Sequence, residues 1–90
     1  MITKNKREWW IDGKWVKTEY YDSDGQLHRE DEPAIMCVNG AKEWWIRGKR
    51  HREGGPAIVR ADGTIEWWIE GAKVTTWNEV YISVPGGVLV

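Results

Sequence analysis

The sequence predicts an all-β fold, a single antiparallel β-meander of repeated hairpins, and three observations carry that prediction. Glu43-Trp44-Trp45-Ile46-Arg47-Gly48 returns 23 residues later as Glu66-Trp67-Trp68-Ile69-Glu70-Gly71. At the same shift His28-Arg29-Glu30 becomes His51-Arg52-Glu53 and Pro33-Ala34-Ile35 becomes Pro56-Ala57-Ile58. Turn pairs fall inside the repeat and split it into segments of about 11 or 12 residues, enough for one strand and a tight turn but not for a helix and its connection.

Taken in order, the first strand is expected near 8–11, where Glu8-Trp9-Trp10-Ile11 runs into Asp12-Gly13. Asp-Gly and Asn-Gly are preferred hairpin pairs because those residues tolerate positive φ. The second, near 15–21, ends in Glu19-Tyr20-Tyr21, a looser Glu-aromatic-aromatic phrase, before Asp24-Gly25. A third spans 34–38 and a fourth 42–46, separated by Asn39-Gly40. The fifth and sixth, near 57–61 and 64–69, flank Asp62-Gly63. Trp, Tyr, Ile and Val between the turns suit a pleated surface. Pro33 and Pro56 have no amide to donate to a ladder and are expected at strand starts or bulges. The repeats cover about 8–73 within one domain, 1–90, leaving a cap or tail at 74–90. There, Thr76-Trp77-Asn78-Glu79 has capping-box spacing, which favours a short helical turn, although Val80 to Val84 also reads as strand; an extended tail follows Pro85.

Composition narrows the function. A chain of 90 residues buries only about two-thirds of its unfolded surface, so its core is small. One cysteine, Cys37, permits no internal disulfide and fits a reducing, cytoplasmic setting. The basic start has no apolar stretch after it, and no run is long enough to span a membrane. Thirteen basic against fourteen acidic side chains lack the positive excess of a nucleic-acid binder. His28 and His51 lack the clustering of a zinc site, and no cofactor or metal is expected.

Eight Trp, three Tyr and no Phe are the unusual feature. Trp has a large apolar body and an N–H that needs a partner, which favours half-wet surfaces. Alternation along a strand sends neighbouring side chains to opposite faces. Trp9, Ile11, Trp44, Ile46, Trp67 and Ile69 are therefore the expected core. Trp10, Trp45 and Trp68 are expected on the other face with Glu8, Glu43 and Glu66, as an aromatic stripe edged by carboxylates. From that stripe Trp10, Trp45, Trp68, Glu43 and Glu66, with Arg47, Lys49, Arg50 and Arg52 from the one basic cluster, are the expected partner-binding set. The alternative is that Arg and Lys side chains lie across the rings and cover them. Glu30-Asp31-Glu32 is expected to occupy the equivalent loop one repeat earlier with opposite charge, which argues for solvated loops rather than a phosphate grip. Histidines and carboxylates copied by repetition need no catalytic cause, so the chain is not expected to be an enzyme.

The phrases Trp-Trp-Ile-x-Gly-Lys, His-Arg-Glu-x-x-Pro-Ala-Ile and Asp-Gly, over Glu8 to Lys73, resemble MORN-type repeats. They are closer to divergent variants found in bacterial, phage and giant-virus proteins than to the usual unit, which has Tyr-x-Gly-x-Trp and His-Gly-x-Gly. The resemblance implies an elongated hairpin array that scaffolds protein contacts. It makes the leading expectation a non-enzymatic protein-binding module, in the manner of a phage or mobile-element inhibitor that occludes a host protein. A lipid-contacting scaffold and nucleic-acid binding through the basic loop are the alternatives. The two-faced aromatic sheet and the apolar stretch Val84 to Val90 also predict a homodimer.

Overall fold

Two kinds of turn build the molecule, whose computed structural model describes residues 2–3 and 5–75. The first kind is a two-residue connection with both residues left-handed: Asp12-Gly13 (φ 50 and 76), Arg47-Gly48 (48 and 80) and Glu70-Gly71 (48 and 84). This is the mirror-image turn whose twist matches that of the strands it joins. The second kind leaves only its glycine left-handed. Gly25, Gly40 and Gly63 donate to the carbonyls of Asp22, Cys37 and Arg60 at 3.1, 3.0 and 2.9 Å. In these turns the Asp or Asn contributes its side chain rather than positive φ. Asp22 Oδ1 accepts from the amides of Asp24 and Gln26, Asn39 Oδ1 from Ala41, and Asp62 Oδ1 from Thr64. Of the four expected turn pairs, only Asp12-Gly13 is a two-residue turn.

The strands are β1 (Ile2–Thr3), β2 (Lys6–Ile11), β3 (Lys14–Tyr20), β4 (Ile35–Cys37), β5 (Lys42–Glu43), β6 (Trp45–Ile46), β7 (Lys49–Arg50), β8 (Ile58–Val59), β9 (Ile65–Ile69) and β10 (Ala72–Val74). No helix occurs among the described residues, and the chain is all-β. Eight strands form one antiparallel meander in the order β1-β2-β3-β4-β5-β8-β9-β10, and β6-β7 is a separate ribbon. The expected strand at 42–46 divides at Trp44 because the backbone changes partners there. The Trp44 amide donates to Ala57 O at 2.8 Å, whereas the Trp45 carbonyl accepts the Arg29 amide at 3.0 Å. The helical turn expected after Thr76 lies outside the described residues.

The molecule measures 45 × 31 × 18 Å, too thin to enclose large side chains. Among the described residues the buried ones are small or few: Thr18, Ala34, Gly55, Ala57 and Ile58. This corrects the expected core. Trp9, Trp44, Ile46, Trp67 and Ile69 are half-buried, and Ile11, beside the first turn, is 62% exposed.

Cross-strand partners share a face, so the register fixes which side chains look together. One face carries the row Glu19, Ile35, Glu43, Ile58 and Glu66, with Trp9 opposite Lys17 and Lys17 opposite Cys37. The other carries Thr18, Met36, Lys42, Val59 and Ile65, and Glu8 pairs with Thr18 there. Glu8 and Trp10 therefore lie on the face opposite Glu43, Trp45, Glu66 and Trp68, contrary to expectation. The structural counterpart of Glu43-Trp44-Trp45 is Glu19-Tyr20-Tyr21. Pairing in β2–β3 sets Arg7, not Glu8, against Glu19, and the register then slips at Trp9/Trp10.

Candidate functional site

In three copies a glutamate and the aromatic residue two places on share a face and bond to each other. Trp45 Nε1 donates to Glu43 Oε1 at 2.9 Å, and Trp68 Nε1 to Glu66 Oε1 at 2.8 Å. The Tyr21 hydroxyl donates to Glu19 Oε1. Each indole N–H is thereby satisfied while its ring stays half-buried.

Arg50 is directly across the β6–β7 ribbon from Trp45. Its guanidinium carbon lies 5.0 Å from the centroids of both Trp45 and Trp68, so the cation sits between the two indoles. Its Nε is buried without a hydrogen-bond acceptor, 3.7 Å from Glu43 Oε1. Downstream, Glu66 meets Arg60 at 2.7 Å and Lys73 at 3.6 Å. The hydrogen bond from Arg60, then that from Trp68, holds the Glu66 carboxyl down to about 2. Burial and then the Glu19 contact push the Tyr21 phenol up to about 12.

Five of the expected partner-binding residues thus assemble on one surface: Glu43, Trp45, Arg50, Glu66 and Trp68. Lys49 stands at its rim, and the shallow depression between the rings encloses about 350 Å³. The remaining three diverge. Arg52 points into the opposite groove, stacked 3.9 Å from the Trp44 centroid and donating to Pro56 O at 3.1 Å. Arg47 occupies the exposed tip of its turn and lines that same groove, of about 710 Å³. Trp10 is 54% exposed on the β2–β3 hairpin, away from the stack. Trp45 and Trp68 are therefore neither bare nor enclosed: a cation from this chain fills the gap between them.

His28 and His51 serve the backbone. The Nδ1 of each accepts a turn amide, from Arg47 at 3.0 Å and Glu70 at 2.9 Å. No acidic loop is a counterpart of the basic cluster either. By the repeat, Glu30-Asp31-Glu32 corresponds to Glu53-Gly54-Gly55, and Arg47 to Arg52 corresponds to Asp24 to Arg29. Glu19 and Tyr21 also belong to the Glu–aromatic column, and the Glu19-Tyr20-Tyr21 phrase is the signal in the sequence that points to them. Repetition marks the histidines as packing or turn residues; the amides they bind lie 19 residues away and are not signalled locally.

Cys37 is half-buried, and burial pushes its thiol up. Among the described residues no three His, Cys, Asp or Glu side chains converge as metal ligands. No helix among them is long and apolar enough to cross a membrane.

Fold and site define an antiparallel hairpin array with an aromatic–guanidinium stack on one face. No protein-family model, curated protein or solved structure matches the chain.

Proposed function

We propose that the chain is a non-enzymatic protein-binding module that docks through the face bearing Trp45, Arg50 and Trp68. The supporting observation is the stack itself, two half-buried indoles with a guanidinium between them, rimmed by Glu43 and Glu66. Trp and Arg are the side chains that most often dominate interface energetics, because they offer large rigid area and directional donors together. The depression they line is shallow, suited to a side chain presented by a partner rather than to an enclosed small molecule. The resemblance to divergent MORN repeats supports a protein as that partner. We read the mode of action as occlusion of a cellular or host protein surface.

The test is partner capture by the immobilised full chain in three forms: wild type, Trp45→Ala/Trp68→Ala, and Trp10→Ala as a control on the other face. Wild type and Trp10→Ala should retain the same protein, and the double variant should lose it while the amide spectrum of the main sheet is unchanged. Retention by a folded double variant overturns the assignment of the face.

A further inference from the structure

Each histidine fastens one hairpin tip to the segment before it. The β6–β7 ribbon is held by Gly48 N to Leu27 O at 2.8 Å, Arg29 N to Trp45 O at 3.0 Å, and Arg47 N to His28 Nδ1 at 3.0 Å. The β9–β10 hairpin repeats the set: Gly71 N to Arg50 O at 2.9 Å, Arg52 N to Trp68 O at 3.1 Å, and Glu70 N to His51 Nδ1 at 2.9 Å. Two bonds of each set join backbone groups that keep their protons at any ordinary pH. The imidazole bond alone depends on protonation.

A ring accepting through Nδ1 carries its proton on Nε2. A second proton makes both nitrogens donors. Nδ1–H would then face an amide N–H, and the attraction would become a donor–donor opposition. We propose that His28 and His51 form a paired proton-sensitive latch, closed while the rings are neutral and released when they are protonated. The inference concerns the hairpins themselves and stands whether or not their outer face binds a partner.

Charges around each ring pull both ways. His28 has Arg29, Glu30 and Asp31 on its own loop and faces Arg47 and Lys49 on the β6–β7 ribbon. His51 has Arg52 and Glu53 on its loop and faces Glu70 on the β9–β10 hairpin, across the groove from Arg47 and Lys49. Glu30 and Glu53 favour the imidazolium, but they stand 4.0 and 3.9 Å from Nε2 and are 81% and 58% exposed. Water and salt screen them. The turn amides are in direct contact and oppose the cation, as do Arg47 and Lys49. Protonation removes the acceptor lone pair of Nδ1 that each turn amide uses, so the latch opens as pH falls.

The experiment is nitrogen-resolved NMR on the full chain, with ring tautomers and amide protection factors followed from about pH 8 to about pH 5. The expected result is a ring proton on Nε2 at the upper end. Protection at Arg47 and Glu70 should fall about tenfold as the rings protonate, while Tyr20 and Ala57 in the main sheet hold. The variant His28→Asn/His51→Asn places a carboxamide oxygen where Nδ1 stood, and that oxygen accepts at every pH. It should remove the pH dependence with the tips still protected. A neutral ring with its proton on Nδ1 overturns the proposal, as does wild-type protection indifferent to ring protonation. Should the Asn pair fail to fold, the wild-type tautomer and protection measurements decide alone.

Discussion

Arg52 lays its guanidinium 3.9 Å from the centroid of the Trp44 ring and donates to the carbonyl of Pro56 at 3.1 Å. The same bracket recurs one repeat earlier, where Arg29 stands 4.0 Å from the Tyr20 centroid and 3.4 Å from Pro33 O. It explains why His-Arg-Glu-x-x-Pro-Ala repeats as a phrase. The arginine clamps the loop that delivers Pro-Ala to the sheet, and the alanine that follows is fully buried. A partly desolvated cation–π contact and a charge-assisted hydrogen bond together make Arg52→Leu cost about 2 kcal/mol. Arg29→Leu should cost less, since its bond is longer and its ring is Tyr. Urea unfolding of the two variants checks the order.

Glu66 supplies the pH dependence. Its carboxyl is lowered from 4.5 to about 2, chiefly by the Arg60 hydrogen bond and then by the Trp68 N–H. A group whose folded value is depressed contributes stability that is present above its unfolded value and lost as pH falls through the folded one. Stability should therefore decline between about pH 4.5 and about pH 2 through this residue. Glu66→Gln, which still accepts from Trp68 but cannot ionise, should flatten that part of the curve. Denaturant unfolding at stepped pH measures the slope, and an unchanged slope in the variant would count against the ion pair.

The repeat made most of this fold readable, and so did the local alternation that puts each Glu beside the second aromatic, as Glu43–Trp45 and Glu66–Trp68 show. The facing of the first copy was not readable. Equal spelling of Glu8-Trp9-Trp10 and Glu43-Trp44-Trp45 implies equal orientation only if every intervening pairing preserves parity. The β2–β3 register sets Glu8 against Thr18, and the slip at Trp9/Trp10 follows it. Register is a tertiary fact, set by which residues meet across strands, and neither copy spells it. β7 and β10 were missed for a related reason. Arg47-Gly48 and Glu70-Gly71 are two-residue turns whose first residues are not the Asn or Asp that usually signals positive φ. His28 and His51 contribute to those turns by taking the tip amides.

Asp31 sits at φ 64, and the matching position of the next repeat is Gly54 at φ 80. Left-handed backbone strains a residue with a Cβ, though less for Asp than for most. Asp31→Gly relieves that strain but adds freedom to the unfolded chain, so the net gain should be about 0.5 kcal/mol. The reverse change is sharper: Gly54→Ala should cost about 1 kcal/mol. Paired thermal melts test both, and a destabilised Asp31→Gly would mean that the aspartate side chain contributes a contact worth more than the strain.

Arg50 separates stability from recognition. Its position opposite Trp45 is taken by Leu27 opposite Tyr21 in the earlier copy, so an apolar residue already fits that ladder site. The arginine brings a buried Nε with no acceptor, and its ion pair with Glu43 is long at 3.7 Å. Replacing a poorly satisfied, partly buried charge by an apolar residue that fills the same space is commonly neutral or stabilising. Arg50→Leu should therefore leave stability unchanged or raise it by about 1 kcal/mol. Arg50→Ala empties the gap between the Trp45 and Trp68 rings and should cost about 2 kcal/mol. If the guanidinium is held between those indoles for a partner, the leucine variant should be as stable as wild type yet captured far more weakly. Equal capture by Arg50→Leu and wild type would restrict the binding face to the aromatic rings.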